Sequence, residues 1–429
     1  MSEMKIEELY QIYLKYPSVQ TDTRKLQMGD IYFALKGDTF NGNTFAQQAL
    51  NQGAAYCVVD EDLSFKDDRL IKVVDVLSTL QQLAKYHRQQ FQIPFLAITG
   101  SNGKTTTKEL IHAVLSTTLK TYTTEGNLNN HIGIPLTLLK IKSDAEIAVV
   151  EMGANHQKEI ASYCEYTLPT HALINNCGKA HLEGFGGVEG VRKGKGELYD
   201  FIRLSGGIIF RNNDYDYLKS MSTCIDKVIS YSSLEDADVV GKISDDATML
   251  TVAISKGAAI RQIKTQLVGG YNLPNVLAAV CVGKTFDVSD ENIVAALEAY
   301  VPSNSRSQLI QKDTTSIVLD AYNANPSSMK VAVDNFAAMQ GDNKILMLGG
   351  MMELGDETEY EHSQLVELIQ GYAWKAVVLV GQGFKPFANQ YYYFDNSVEA
   401  AQWFKSQDLH NCQVLIKGSR SMKMERIID

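Results

Sequence analysis

Short apolar runs separated by Gly- and Asn-rich turns occupy the first 88 residues of the chain. Runs at residues 31–35 and 56–59 predict strands, because they are short and bounded by turn residues. Residues 77–90 predict a helix whose Gln-rich face meets solvent. The first block therefore predicts a small α/β domain over residues 1–88.

From residue 89 the pattern changes to buried strands that alternate with amphipathic helices. Residues 93–99 are apolar and short enough for a buried strand, and residues 104–119 carry apolar side chains at helical spacing. Further apolar runs follow at 147–150, 172–174 and 207–210. This order predicts a parallel sheet covered by helices. Residues 228–268 alternate and are rich in turns, which predicts a small antiparallel extension.

The third block begins near residue 303 and repeats the strand–helix alternation. Its strand-like runs lie at 317–320, 345–348, 377–380 and 414–417. We interpret it as a second βαβ domain of Rossmann-like type. The whole pattern predicts an α/β protein of three domains, with bounds 1–88, 89–302 and 303–429.

Length and composition agree with several cores in one cytosolic protein. The chain has 429 residues, of which 45% are hydrophobic and 21% charged. The acidic start lacks the basic stretch of a signal peptide, and we find no apolar run long enough to span a membrane. A net charge of −10 argues against a general nucleic-acid surface. The 6 scattered cysteines are typical of reduced, mostly buried thiols.

The strongest local motif is T-G-S-N-G-K-T-T at residues 99–106, between a predicted strand and a predicted helix. Such a turn directs backbone N–H groups and the positive end of the helix dipole at phosphate oxygens. Lys104 adds a charge for the β- and γ-phosphates, and the Thr105 hydroxyl is suited to Mg²⁺. An ordinary strand–turn–helix connection is the alternative, and its context favours phosphate binding.

Two residues later in the chain suggest a metal site beside the phosphate loop. Glu151 ends the run at 147–150, and His181 follows the next strand. Ligands of open α/β sheets bind at the carboxyl ends of the strands, so both side chains are predicted to reach one crevice. A carboxylate there is suited to Mg²⁺, which prefers oxygen ligands. Taken singly, each residue is better explained as a surface or capping group, but the two together, at the same end of neighbouring strands and beside a phosphate loop, favour the metal site.

These motifs together resemble the Mur ligases, the ATP-dependent amide ligases of peptidoglycan synthesis, over essentially the whole chain. The first block is similar to the family's signature for a uridine nucleotide, with Thr23 in place of the usual Ser. The resemblance implies that the uridine-linked substrate contacts Asp22, Thr23, Arg24, Asn41 and Gly42.

In the second block, the phosphate loop matches the family's T-G-[ST]-N-G-K-T-T. The resemblance implies that ATP contacts Gly100, Ser101, Asn102, Gly103, Lys104, Thr105, Thr106, Asn130, Asn275 and Arg306. It implies that Mg²⁺ is held by Thr105, Glu151, His181 and Lys195, the last as a carbamate. Lys104, His181 and Lys195 are then the catalytic residues. Without the resemblance, Lys195 is better explained as a solvated surface lysine.

The third block carries D-A-Y-N-A-N-P-S-S-M at residues 320–329, which resembles the family members that add D-alanyl-D-alanine. The resemblance implies that Asp320, Asn323 and Asn325 face the dipeptide or the nucleotide. The implied reaction joins D-alanyl-D-alanine to UDP-N-acetylmuramoyl-tripeptide through an acyl phosphate, with ATP and Mg²⁺. Peptidoglycan made in this way supports cell shape and division. We expect a cytoplasmic monomer with no nucleic-acid or membrane partner, whose domains close during turnover.

Other interpretations stay open at this point. A sister ligase that adds a single amino acid shares most of these motifs, and residues 320–329 argue against it. A nucleotide-gated binding protein without ligase activity is disfavoured by the intact set of Lys104, Glu151, His181 and Lys195. A P-loop kinase or motor is more remote, since an N-terminal nucleotide domain has no role there.

Overall fold

The computed structural model describes residues 4–244, 249–303, 305–407 and 409–428. These residues divide into two compact units. The N-terminal unit comprises Met1–Ala97, Leu119–Ala154 and Lys158–Ala172, and the C-terminal unit comprises Ile98–Thr118, Asn155–Gln157 and Leu173–Asp429. No helix among the described residues is both long and apolar enough to cross a membrane.

A four-stranded parallel sheet begins the N-terminal unit, in the order β1-β2-β5-β6. Its strands are β1 (Val19–Gln20), β2 (Ile31–Phe33), β5 (Tyr56–Val59) and β6 (Leu70–Lys72). A small antiparallel ribbon pairs β3 (Lys36–Gly37) with β4 (Phe40–Asn41). The strands predicted at 31–35 and 56–59 are therefore confirmed, and they pack a buried cluster that includes Tyr32, Ala46 and Cys57.

The largest sheet has nine strands in the order β15-β14-β13-β12-β11-β10-β7-β9-β8. Their bounds are β7 (Phe95–Thr99), β8 (Thr121–Thr123), β9 (Ile147–Glu151), β10 (His171–Ile174), β11 (Ile208–Asn212), β12 (Lys227–Ser232), β13 (Val239–Ile243), β14 (Met249–Lys256) and β15 (Ile263–Val268). The antiparallel extension begins later than expected, because β12 is parallel to both β11 and β13. Within the described residues, β13 with β14 and β14 with β15 are antiparallel.

The sheet of the third block has six strands in the order β16-β17-β21-β18-β19-β20. These are β16 (Gln308–Lys312), β17 (Thr315–Asp320), β18 (Lys344–Gly349), β19 (Ala376–Val380), β20 (Tyr392–Phe394) and β21 (Gln413–Lys417). All neighbouring pairs are parallel except β16 with β17. The four predicted strands form the centre of the sheet, and its core includes Ile317, Met347 and Val414.

Helices connect the strands in chain order. They are α1 (Ile6–Lys15), α2 (Ala46–Asn51), α3 (Val76–Arg88), α4 (Lys104–Leu115), α5 (Gly133–Leu139), α6 (Glu159–Thr167), α7 (Leu182–Phe185), α8 (Val188–Ser205), α9 (Asp216–Met221), α10 (Leu273–Thr285), α11 (Asp290–Ala299), α12 (Pro326–Ala338), α13 (Thr358–Gln370) and α14 (Ser397–Ser406). Short 3₁₀ helices cover Gly42–Phe45, Gly270–Asn272, Gly355–Glu357, Gln382–Phe387, Arg420–Met422 and Met424–Ile427.

Local sequence explains where several helices begin. The Asp75 side chain accepts a hydrogen bond from the backbone N–H of Ser78 at 2.6 Å and thereby caps α3. Asn325 caps α12 in the same way, and Pro326 occupies the first helical position, where a missing N–H costs nothing. The predicted helices at 77–90 and 104–119 are confirmed as α3 and α4, and both end a few residues earlier than expected.

Candidate active site

The phosphate loop joins β7 to α4 in the C-terminal unit, as the sequence predicts. Gly103 precedes α4 with φ at +80°, a left-handed conformation that favours glycine. A Cβ atom at Gly103 would lie 2.7 Å from Oδ1 of Asn275, so no side chain fits there without displacement. The first N–H groups of any helix lack intrahelical acceptors, and α4 presents them at this loop. The geometry is therefore that of an anion-binding turn.

The side chain of Lys104 contacts the backbone of the phosphate loop. Its Nζ donates to the carbonyl oxygen of Gly100 at 2.7 Å. Thr105, the next residue, is buried. The loop itself is fixed from the chain that follows β10, since the backbone N–H of Asn102 donates to Oδ1 of Asn176 at 3.0 Å. The ammonium is thus already held at the turn.

A buried polar network supports the loop from behind. Thr107 Oγ1 donates to Asn275 Oδ1 at 3.0 Å, and Asn175 Nδ2 lies 2.6 Å from Thr107 Oγ1. Asn275 Nδ2 donates to Oδ1 of Asn272 at 3.0 Å. Asn275 was predicted to contact ATP, and the structure places it directly beneath Gly103. It therefore shapes the loop that receives the phosphates.

Glu151, in the N-terminal unit, is a buried carboxylate at the end of β9. Only 1% of its surface is exposed, and Oε1 accepts a hydrogen bond from Asn129 Nδ2 at 2.7 Å. Among the described residues, Glu151 Oε2 is buried and has no hydrogen-bond partner. A buried carboxylate oxygen without a partner is costly, and a hard cation is the ligand that such an oxygen suits. Glu151 therefore fits the predicted magnesium ligand.

Asn130 is exposed in the same unit and starts the turn before α5. Its Oδ1 accepts hydrogen bonds from the backbone N–H groups of Ile132 at 3.2 Å and of Gly133 at 2.8 Å. The side chain thereby fixes the segment that follows Asn129, the residue bonded to Glu151.

A cleft of about 350 Å³ lies in the C-terminal unit, and several predicted site residues line it. Its polar lining comprises His181, Asn323, Asn325, Glu353, Ser419, Arg420 and Ser421. Asn325 Nδ2 donates to Oδ1 of Asn102 in the phosphate loop at 2.8 Å. This hydrogen bond joins the second sequence block to the third at the cleft.

His181 contacts Glu353 through its Nδ1 atom. This hydrogen bond is the main reason that the pKa of the Glu353 carboxyl is lowered from its ordinary value. Glu353 and Arg420 were not predicted as site residues. The available signal was the position of each residue a few residues after a predicted strand, β18 and β21 respectively.

Lys195 is buried within α8, with 1% of its surface exposed, whereas Lys193 on the same helix is exposed. The Nζ atom of Lys195 lies 5.0 Å from the centre of the Phe185 ring. The alternative of a solvated surface lysine is therefore wrong for this position. The burial of Lys195, in contrast to the exposure of Lys193, agrees with the choice of Lys195 as the candidate for modification.

Asp320 and Lys417 end two adjacent parallel strands, β17 and β21, and are paired in register. The ammonium of Lys417 lies 2.5 Å from Oδ2 of Asp320. Asp320 Oδ1 also accepts from the backbone N–H of Ser307 at 3.1 Å. The predicted Arg306 precedes Ser307, and its guanidinium lies 3.6 Å from the centre of the Tyr322 ring. Asp320 therefore anchors the start of the third block near Arg306.

The predicted uridine-site residues belong to the N-terminal unit. Arg24 makes two side-chain hydrogen bonds to Asp22, at 2.9 and 2.8 Å, which lower the pKa of Asp22 to about 2. Asn41 Nδ2 donates to Oε2 of Glu61 at 2.9 Å. A Cβ atom at Gly42 would lie 2.4 Å from the carbonyl oxygen of Leu35, so only glycine fits this turn.

Comparison with known proteins identifies family models along most of the chain. The model of the Mur ligase family catalytic domain matches residues 15–88, the Mur ligase middle domain matches 98–283, and the glutamate ligase domain of Mur ligases matches 305–420.

Full-length relatives agree with these matches. The UDP-N-acetylmuramoyl-tripeptide–D-alanyl-D-alanine ligase of Bacillus subtilis is 33% identical over 424 residues, covering 96% of this chain and 92% of the relative. The enzyme of the same name from Escherichia coli is 35% identical over 422 residues, with the same coverage.

Solved structures are similar over the same length. A crystal structure of MurF from Acinetobacter baumannii has a TM-score of 0.88 and 30% identity, covering 96% of this chain and 92% of that one. MurF ligase from Thermotoga maritima in complex with ADP has a TM-score of 0.85 and 26% identity, covering 97% of both chains. The protein described here belongs to the Mur ligase family.

Proposed function

We propose that this protein is an ATP-dependent ligase that joins D-alanyl-D-alanine to UDP-N-acetylmuramoyl-tripeptide in the cytoplasmic synthesis of peptidoglycan precursors. The observation that carries the proposal is the hydrogen bond between Asn102 and Asn325, which connects the phosphate loop to the polar cleft of the third block. The full-length relatives that carry this activity in their names support the choice of substrates.

The chemistry proceeds by activation of a carboxylate. An oxygen of the tripeptide's terminal carboxylate attacks the γ-phosphorus of ATP, the bond to the β-phosphate oxygen breaks, and ADP leaves. The amine of D-alanyl-D-alanine then attacks the acyl carbon, and inorganic phosphate leaves as the amide forms. No nucleophilic side chain of the protein is required. Preorganised cationic and hydrogen-bonding groups supply most of such catalysis by opposing charge in the transition state.

Lys104 and the loop residues Gly100, Ser101, Asn102, Gly103, Thr105 and Thr106 bind the triphosphate in this proposal. Lys104 is already at the loop, since its Nζ donates to Gly100. Asn275 holds the loop from beneath, and Asn130 and Arg306 bind other parts of the nucleotide.

In this proposal the magnesium ion is held by Thr105, Glu151, His181 and Lys195, with Lys195 as a carbamate. Mg²⁺ commonly binds through one or two carboxylates and the substrate phosphates, and it neutralises charge on the phosphates when bound. The unpartnered Oε2 of Glu151 and the burial of Lys195 support this choice of residues.

The cleft of the third block receives the dipeptide in this proposal. Asn323 and Asn325 line it, and Asp320 fixes the strand end beside it through its contact with Lys417. Asp22, Thr23, Arg24, Asn41 and Gly42 bind the uridine-linked substrate. We propose a monomer that acts in the cytoplasm.

Phosphate release by the purified protein tests the proposal. With ATP and Mg²⁺, we expect release only when UDP-N-acetylmuramoyl-tripeptide and D-alanyl-D-alanine are both present, and a product mass that contains the added dipeptide. Single amino acids offered in place of the dipeptide separate this activity from that of a sister ligase. Lys104→Ala is expected to lower the rate about 100-fold or more, because one preorganised cationic group is lost. Nucleotide binding without release under any of these conditions refutes the proposal.

A further inference from the structure

His181 and Glu353 are 172 residues apart in sequence and both line the cleft of the C-terminal unit. The Nδ1 atom of His181 contacts the Glu353 carboxylate, and the backbone N–H of Glu183 donates to the carbonyl oxygen of Glu353 at 3.4 Å. Both residues have positive φ, 51° for His181 and 62° for Glu353. Such conformations are rare for residues with a side chain, so the surrounding structure holds this pair against a backbone cost.

The contact determines which nitrogen of the imidazole carries the proton. An ionised carboxylate is an acceptor only, so Nδ1 must donate to Glu353. In the neutral ring, Nε2 then keeps its lone pair. Among the described residues, Nδ1 is the ring nitrogen of His181 that has a hydrogen-bond partner. Histidines that hold metals usually donate their other ring N–H to a carboxylate or carbonyl, which fixes the ring and its tautomer.

We propose that Glu353 is a positioning residue that fixes the orientation and tautomer of His181, so that Nε2 is available to the divalent cation of the ligase reaction. The inference rests on the proposed function, because that reaction needs the cation. Glu353 lies in the segment between β18 and α13, within the third sequence block. The cation ligand of the second block thus depends on a carboxylate that the third block supplies.

The state of the imidazole in the metal-free protein gives the first test, because it requires no activity. In ¹⁵N-resolved NMR of the whole chain, His181 of the wild type is expected as the Nδ1–H tautomer. Glu353→Ala loses this tautomer, because the acceptor is removed. Glu353→Gln weakens the preference for it, because the amide can accept from Nδ1–H or donate to Nδ1. Glu357→Gln is the matched control, because Glu357 is an exposed carboxylate four residues later, and it is expected to leave the His181 tautomer unchanged. A wild-type tautomer that persists in Glu353→Ala overturns the proposal.

Metal affinity gives the second test, measured without turnover. Mn²⁺ is titrated by electron paramagnetic resonance into protein saturated with a non-hydrolysable ATP analogue. Loss of a carboxylate that orients a metal ligand commonly weakens binding 10–100-fold. We expect Glu353→Ala to weaken the binding of one Mn²⁺ ion by about this factor, and Glu353→Gln to weaken the same binding less than about tenfold. Equal losses in the two variants would instead make Glu353 a direct ligand and overturn the positioning role, as would wild-type affinity in Glu353→Ala.

The two proposals fail in different ways. If the wild type releases no phosphate with both substrates, the ligase function fails, whatever the tautomer of His181. If the wild type is an active ligase and Glu353→Ala retains the tautomer and the Mn²⁺ affinity, the ligase function stands and the positioning role fails.

Discussion

Two lysines of α8 provide a matched pair for testing the chemistry at single residues. Lys195 is buried beside Phe185, and Lys193 is exposed on the same helix. We expect Lys195→Ala to lower the ligation rate about 100-fold, because the proposed carbamate that binds the cation is lost, and Lys193→Ala to change it less than about threefold. Steady-state phosphate release measures both rates, and thermal melting of each variant checks its folding. Similar rates for the two variants would argue against a role for Lys195.

The pair of Asp22 and Arg24 carries a prediction about pH. The hydrogen bonds from Arg24 lower the pKa of Asp22 to about 2, below the value of about 3.9 in unfolded chains. A lowered folded-state pKa contributes stability above the unfolded value, and this contribution is lost as the pH falls through about 2. Asp22 therefore stays ionised across the working range of the enzyme.

Arg24→Ala is expected to return the pKa of Asp22 toward about 3.9, since its hydrogen-bonded cation is removed. A carboxyl-resolved NMR titration of the wild type and the variant measures the shift. Lys25→Ala is a suitable neighbouring control, because Lys25 has only a minor effect on the same carboxyl. An unchanged Asp22 pKa in Arg24→Ala would mean that the pair does not form in solution.

At the scale of elements, the residue that caps helix α12, Asn325, combines two roles. Asn325 Oδ1 accepts from the backbone N–H of Ser328 and caps the helix, and Nδ2 donates to Asn102 of the phosphate loop. Serine also caps helices well but is too short to replace the amide donor. The two roles can therefore be separated by substitution.

Asn325→Ser is expected to keep the free energy of unfolding within about 0.5 kcal/mol of the wild type, and Asn325→Ala to lose about 1 kcal/mol. Both variants are expected to slow ligation several-fold, because both lose the bond to Asn102. Denaturant unfolding and phosphate release measure the two effects. If Asn325→Ser ligates at the wild-type rate, the bond to Asn102 has no part in catalysis.

The elements also show what the sequence pattern can predict. Buried strands such as β18, in which every residue is buried, follow directly from their apolar runs. Strand β16 was missed, because it is a half-exposed edge strand that carries polar residues, and β20 has only three residues. The parallel pairing of β12 with β13 was missed for a different reason, since alternation reports one exposed face and not strand direction.

Among the candidate site residues, those whose chemistry lies in one short segment could be predicted, and those that depend on tertiary contacts could not. Lys104 could be predicted because its chemistry lies in one short turn, and the structure finds that turn as expected. The identity of the pair His181 and Glu353 could not be predicted, since it depends on a contact between segments 172 residues apart. Nor does any local pattern distinguish the buried Lys195 from the exposed Lys193. For both, the family resemblance or the tertiary structure was needed.

At the scale of the whole molecule, the proposed uridine site and the phosphate loop belong to different compact units. The uridine-site residues belong to the N-terminal unit, and the phosphate loop and the cleft belong to the C-terminal unit. A ligand that binds only the folded state stabilises it, by about 2.7 kcal/mol at a concentration one hundred times its dissociation constant. Backbone amides at the binding residues then exchange hydrogen more slowly.

Hydrogen–deuterium exchange with separate ligands is therefore expected to give two distinct protection patterns. UDP should slow exchange at residues 20–24 and 36–43, and a non-hydrolysable ATP analogue should slow it at residues 99–107, by up to about 100-fold at saturation. In Lys104→Ala the ATP analogue loses most of its protection, whereas UDP keeps its own, because the substitution lies outside the N-terminal unit. Protection of residues 99–107 by UDP, with residues 20–43 unchanged, would place the uridine nucleotide in the C-terminal unit and contradict the prediction. The distinction matters for the reaction, because an amide ligase that activates a carboxylate must bind the acceptor and ATP at the same time, through groups that do not compete.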